Sequence, residues 1–318
     1  MPEFVLGHEQ LLAGVAVLEP IALPLMDALG CVLAQAISAP ADVPAFATVE
    51  FPGFAISVAT HVPGSIYKIV DDVPAGFRAS EPLAEGACIK VARGAPLPEG
   101  ADAVVGLPRA QLVDGGVICE PTELGVGFVA LGDLIRAGEP LAQAGQLVES
   151  DLLGILARAG IRSVEVHPRP RVIVVTVGSE YVEPGVSTPI GLVADHLSQL
   201  AAALVTEHGA IAFRIPPVLD DLAEIVQVVD DNAHRSDLIV LCGLEPETAP
   251  AIAEALGLSL GTSVSLNSGE VVTSEPVVHG MSGGAVIVGL PDDSTQLRAC
   301  AREILPRILH QLMGRSAQ

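Results

Sequence analysis

From Val172 onward the chain alternates strand-length with helix-length stretches, and this alternation restricts the fold more than any other feature. Val172–Val177 is an unbroken apolar run, as a parallel strand buried on both faces must be. It follows the basic, proline-containing stretch His167-Pro168-Arg169-Pro170-Arg171. Spacing then predicts helices over 192–208 and 219–233, a short helix near 248–256 and a closing helix over 294–313. Strands are predicted over 210–215, at Leu238–Cys242 and at Val286–Leu290, with a hairpin-like region around 269–278. Such a pattern specifies a doubly wound α/β domain.

The sequence before residue 168 reads differently. Leu11, Leu12, Val15 and Leu18 fall at helical spacing up to Pro20, and a second helix is predicted from Leu23 to Ile37, so that residues 8–38 are expected to be helical. Ala39–Ala45 is a proline-punctuated linker. Short β-type runs follow at Phe54–Ala59, Ala87–Val91, Ala103–Val105 and Val117–Cys119, separated by Gly and Pro, as in a small β-barrel or sandwich. Helical spacing returns at Ser150–Ala159.

Composition narrows the function classes. The formal net charge of −22 disfavours nucleic acid and anionic membrane surfaces, whose phosphates it repels. It also opposes anionic small molecules unless a cation or a local basic pocket intervenes. Cys31, Cys88, Cys119, Cys242 and Cys300 are widely spaced, form no CxxC pair and read as reduced, buried thiols. No apolar run approaches the roughly 20 residues needed to span a bilayer. The expected location is the cytoplasm, with no direct membrane insertion and no nucleic-acid partner.

Several segments together resemble a known family. Arg93-Gly94-Ala95-Pro96-Leu97-Pro98-Glu99-Gly100-Ala101-Asp102-Ala103-Val104-Val105 resembles the TGAPLPEGADAVV segment of the molybdopterin molybdenumtransferases, the bacterial MoeA proteins and the E domain of gephyrin. Leu23–Gly30 resembles LPLLEALG, Asp42–Phe46 resembles DVPPF, and Gly289-Leu290-Pro291 matches the start of GLPGNP. Val182-Glu183-Pro184-Gly185 fits the family's spacing. The resemblance implies an α/β multidomain protein. A helical N-terminal domain over 1–45 and 128–168 is interrupted by a β-barrel-like domain over 46–127, and a molybdopterin-binding-like α/β domain spans 169–318. It further implies a homodimer, and an activity that inserts molybdate into adenylylated molybdopterin with Mg²⁺. The family's C-terminal β domain is expected to be absent.

At the pocket positions the chain departs from the family. The DNSAMDGYA segment is replaced by Ala47-Thr48-Val49-Glu50-Phe51-Pro52-Gly53-Phe54-Ala55, and the Asp of TGDEL by Ser179. Glu180, Asp195 and Ser198 remain, which makes Glu180 and Asp195 the candidate catalytic and metal-ligating pair. The family's Gly-rich loop has become Cys242-Gly243-Leu244-Glu245-Pro246-Glu247, and GLPGNP continues into Asp292-Asp293. A Gly-rich turn ahead of a helix offers N–H groups to phosphate. Leu244, Glu245 and Pro246 remove that offer, and Asp292 and Asp293 place the protein's own charge there. Arg93, Ser179, Ser198, Gly243, Asp292 and Asp293 are thus the ligand-pocket positions that the resemblance carries over. Arg93 is expected to pair with a nearby acid.

The expectation is a binding or scaffold protein with degraded catalytic motifs and a protein partner at the remodelled pocket. The alternative is an active molybdenumtransferase. Two other motifs read structurally. Gly280-Met281-Ser282-Gly283-Gly284 has the GxSxG form, but a strand follows it where a nucleophile elbow needs a helix, so it is read as a hairpin turn. Asp220-Asp221 and Asp230-Asp231 flank a predicted helix, with Asp220 read as its N-cap.

Overall fold

The structure is a computed structural model that describes residues 11–12, 14–263, 266–267, 270–271 and 275–315. It separates into two compact units. One comprises Met1–Ala36, Gln143–Leu153 and Ser163–Gln318; the other comprises Ile37–Ala142 and Gly154–Arg162.

The second unit is built on six strands: β1 (Gly53–Ile56), β2 (Ile66–Val73), β3 (Ala87–Val91), β4 (Ala103–Gly106), β5 (Ala110–Val113) and β6 (Gly116–Cys119). Their order is β4-β1-β3-β2-β6-β5, and only β2 and β3 run parallel. Side chains alternate along each strand. Phe54, Cys88, Val105 and Val117 therefore enter one apolar cluster, while Ala55, Ile89 and Val104 enter a second. The expected β runs at Ala87–Val91, Ala103–Val105 and Val117–Cys119 are present, while that at Phe54–Ala59 ends at Ile56 ahead of a 3-10 turn over Val58–Thr60. Strand β2 was not expected, because Lys68, Asp71 and Asp72 hide its period of two behind charge.

The α/β unit carries β7 (Arg171–Thr176), β8 (Ile211–Arg214), β9 (Leu238–Leu244), β10 (Ser259–Ser263), β11 (Glu275–Ser282) and β12 (Ala285–Pro291). The order is β8-β7-β9-β12-β11-β10. The first four strands are parallel and the last two antiparallel. Helix α1 (Ser150–Arg158) precedes this sheet in sequence. Helices α2 (Leu197–Glu207) and α5 (Ser294–Leu312) cover one face, packing Leu204, Leu305 and Ile308 on Val172, Val240 and Val288. Helices α3 (Leu222–Ala233) and α4 (Ala249–Leu256) cover the other, packing Ile225, Val229 and Ile252 on Ile173, Leu241 and Ile287. Helices on both faces explain why every residue of β9 is buried. The fold class is therefore α/β multidomain with a doubly wound sheet.

Two expectations need correction. Residues 8–38 are not two helices. Among the described residues only Leu11 is helical in this stretch; Ile21–Pro24 pairs antiparallel with Ser163–His167, and Val32–Leu33 lies along the opposite edge of that strand. Pro20 and Pro24 remove N–H donors and push the residues before them toward extended backbone, so helical spacing there is coincidental. The N-cap of α3 is Asp221 and not Asp220: its carboxylate accepts from Ala223 N at 3.0 Å and Glu224 N at 3.2 Å. The expected hairpin turn is present, Ser282 facing Ala285 across Gly283 (φ 58°) and Gly284 (φ 94°), which suits the positive-φ pair of a two-residue turn. The hairpin-like region predicted around 269–278 lies partly outside the described residues.

Candidate site at the carboxyl edge of the parallel sheet

Open α/β sheets bind ligands beyond the carboxyl ends of their parallel strands. In this unit that edge is formed where β7 ends at Thr176, β8 at Arg214, β9 at Leu244 and β12 at Pro291. Asp195, fully buried two residues before α2, is its centre. Asp195 Oδ1 accepts from Thr176 Oγ1 at 2.7 Å and from Ser198 N at 3.1 Å. Asp195 Oδ2 accepts from Ser198 Oγ and from Arg214 Nη2, the latter at 3.0 Å. Arg214 also donates through Nε to Ser198 Oγ at 2.7 Å, and its Nη2 reaches Glu183 Oε1 and Oε2 at 3.2 and 3.3 Å.

An ionised carboxylate has about four lone-pair sites, and Asp195 has four donors. Burial alone would raise its pKa. The hydroxyls of Ser198 and Thr176, the Ser198 N–H and the Arg214 guanidinium outweigh burial and hold the carboxyl below its ordinary value. Asp195 is therefore an anion saturated by the protein itself. It was expected with Glu180 as a candidate metal ligand, but it has no acceptor left for Mg²⁺. Glu180 is exposed and contributes nothing to this network. Among the described residues no three His, Cys, Asp or Glu side chains converge as a metal site. The residues present do not fit the family's Mg²⁺.

Around this centre the rim is acidic. Glu245, just past β9, has its carboxyl pushed up by partial desolvation and then by the charges of Asp220, Asp292, Glu247 and Glu180. Tyr181 is pushed up to about 12, chiefly by burial and then by Glu180, Asp292, Asp195 and Cys242. Burial likewise raises the Cys242 thiol. That thiol is inert, because the nucleophile would be the thiolate.

The remaining expected positions are dispersed. Ser179 is exposed, Ser198 is buried against Asp195, and Gly243 lies buried in β9. Asp292 is exposed, while Asp293 caps α5, accepting from Thr295 N and Gln296 N at 2.9 Å each. Replacing Asp293 by Ala should destabilise the unit by about 1 kcal/mol, read as a fall in the thermal midpoint. Arg93 belongs to the other unit, is exposed, and forms no ion pair among the described residues, contrary to expectation. The acids of β2 are already engaged, Asp72 by Lys90 at 2.7 Å and Asp71 by Ser80. His196 is exposed, with no side-chain capping bond, at the start of α2. Thr176, Glu183 and Arg214 were not singled out from the sequence as site residues. A polar residue ending an apolar strand and a rare cation ending the next predicted strand were the available signals.

Comparison with known proteins agrees with this architecture. The family described as the MoeA N-terminal region (domain I and II) matches residues 7–160. Molybdopterin molybdenumtransferase 2 of Mycobacterium tuberculosis is 31% identical over 233 residues, 70% of this chain and 57% of the relative. Molybdopterin molybdenumtransferase 1 of the same organism is 29% identical over 211 residues, 64% of this chain and 49% of the relative. The match thus spans only about half the length of these curated relatives. Two structures of the molybdopterin biosynthesis MoeA protein of Pyrococcus horikoshii superpose with TM-scores of 0.75 and 0.73. They are 24% and 21% identical, and the match covers 97% and 96% of this chain and 81% and 78% of theirs. At that identity they establish the fold. No helix among the described residues is long and apolar enough to cross a membrane.

Proposed function

Since this chain belongs to the MoeA family of molybdenum cofactor biosynthesis, we propose that it uses the family's fold for binding or scaffolding and does not insert molybdate into adenylylated molybdopterin. The observation that carries this reading is the saturation of Asp195. Asp195, the one buried acid among the described residues, holds Thr176, Ser198 and Arg214 in place of a metal or a substrate. The acids that raise the Glu245 pKa add to it, since a pterin nucleotide and molybdate are both anions and meet Glu180, Glu245 and Asp292 at the rim. Pro246 has no N–H to offer a phosphate, and the Glu245 carboxylate beside it repels one.

The alternative, an active molybdenumtransferase, is favoured by one observation: Asp195 stays ionised at the edge where the family's ligand would sit. The two readings separate in a defined reaction containing purified protein, adenylylated molybdopterin, molybdate and Mg²⁺. The expected result is no molybdenum-loaded product and no nucleotide retained on the protein. Turnover abolished by Asp195→Ala would establish the alternative. On the scaffold reading the protein is a homodimer with a protein partner at the remodelled pocket, and sedimentation velocity tests the first of these.

A further inference from the structure

We propose that Arg214 is a built-in cation that keeps divalent metal out of this edge, and that removing its charge converts Asp195, Glu183, Ser198 and Thr176 into a divalent-cation site. The inference rests on the reading that the family's metal-dependent chemistry is not performed here, and it supplies the physical cause.

Arg214 Nη2 lies 3.0 Å from Asp195 Oδ2 and 3.2 Å from Glu183 Oε1. The two carboxylates come from different segments, Glu183 just after Tyr181–Val182 and Asp195 just after Val193–Ala194. These two short stretches pair in parallel, which brings both acids to one place. A single positive centre therefore bridges two carboxylates, while Nε of the same group takes the Ser198 hydroxyl at 2.7 Å. Two carboxylates and hydroxyl oxygens around a positive centre make the donor set of a hard cation, because Mg²⁺ and Mn²⁺ take oxygen ligands and complete their shell with water.

Arg suits exclusion better than any other side chain. Its guanidinium keeps its proton at any physiological pH, so the charge is never vacated. The planar fork addresses both carboxylates and the hydroxyl together. Its tether to β8 keeps the charge at the site whatever the metal concentration. An incoming cation would have to shed water and also displace a charge of the same sign. The geometry is open enough for a replacement to enter: the side chain of Glu183 is 40% exposed and that of Arg214 20%, while Asp195 is sealed beneath them.

The test uses the full chain and Mn²⁺ as the probe. Binding is followed by the loss of the free-ion electron paramagnetic resonance signal, and thermal unfolding is recorded with and without millimolar Mn²⁺. Five proteins are compared: unmutated, Asp195→Asn, Arg214→Gln, Arg214→Lys and Arg214→Gln/Asp195→Asn. Gln keeps a donor for Asp195 and Ser198 while losing the charge. The unmutated protein and Arg214→Lys should show no Mn²⁺-dependent rise in midpoint. Arg214→Gln should bind one Mn²⁺ and gain several degrees, or fold only when Mn²⁺ is present, and the double variant should lose that response. A purely structural role for Arg214 would lower stability without creating a Mn²⁺ response. That result, or Mn²⁺ binding by the unmutated protein that Asp195→Asn removes, overturns the proposal. Molybdenum insertion by the unmutated protein would instead overturn the scaffold reading, so the two failures are distinct.

Discussion

Arg214→Met should lower the stability of the chain by about 3 kcal/mol when divalent cations are chelated, because breaking a buried ion pair leaves an uncompensated charge. Asp195 is fully buried, and Met offers nothing to its Oδ2 in place of a guanidinium 3.0 Å away. The figure is placed at the low end of the range for such pairs because the Arg214 side chain is 20% exposed and water can enter behind it. A urea titration should show a lower midpoint at unchanged slope. Arg214→Met/Asp195→Asn should recover more than half of the loss, since the buried charge then disappears with its partner. A loss of the same size in the double variant would mean that the packing of the Arg stem matters and the ion pair does not.

The same network fixes a pH dependence. The Asp195 carboxyl is held below its ordinary value of 3.8 in the folded chain. A depressed carboxyl stabilises the fold fully at pH above its unfolded value, and the contribution is lost as pH falls through the lower, folded value. The acid limb of the stability curve should therefore be steeper for the unmutated protein than for Arg214→Met/Asp195→Asn.

The sequence reveals the parallel sheet better than the site. Strand β7 and strand β9 are legible because helices on both faces demand continuous apolar runs, and Val172–Val177 and Leu238–Cys242 can be little else. Helix α5 was expected over 294–313 and spans Ser294–Leu312. The failure at 21–38 has the opposite cause. Ile21–Pro24 is a strand only because Ser163–His167 lies beside it, and a partner that distant leaves no mark on local spacing. The site divides in the same way. Asp195 and Ser198 stand three residues apart, and a motif reading finds them together. Glu183 and Arg214 reach them through the Tyr181–Val182 pairing and the end of β8, which only the fold brings near. Single-sequence reasoning thus finds an acid and leaves it available for metal, because the cation that occupies it lies in another motif.

Gly243→Ala should destabilise the chain by about 3 kcal/mol, combining the cost of a left-handed backbone with that of a forced contact. Gly243 has φ of 88°, and a Cβ there would stand 2.5 Å from the carbonyl oxygen of Val177. That neighbour is backbone and cannot rotate away. The register of β9 against β12 shifts at this point, between Cys242 and Leu244, so the glycine sits where the strand bulges. Val177 N donates to Cys242 O at 2.8 Å, which ties the exit of β7 to the same bulge. Pushing these backbones apart moves Thr176, and with it one of the four donors to Asp195. Gly257 supplies the control. It ends α4 with φ of 65°, and nothing lies within 4 Å of where its Cβ would be. Gly257→Ala should therefore show the backbone cost alone, about 1 kcal/mol. The difference between the two variants in urea unfolding isolates the close approach. If Gly243→Ala loses no more than Gly257→Ala, the bulge yields without strain. The residue would then owe its place to its backbone angle, and the tight seam between β7 and β9 would not be what holds the edge in shape.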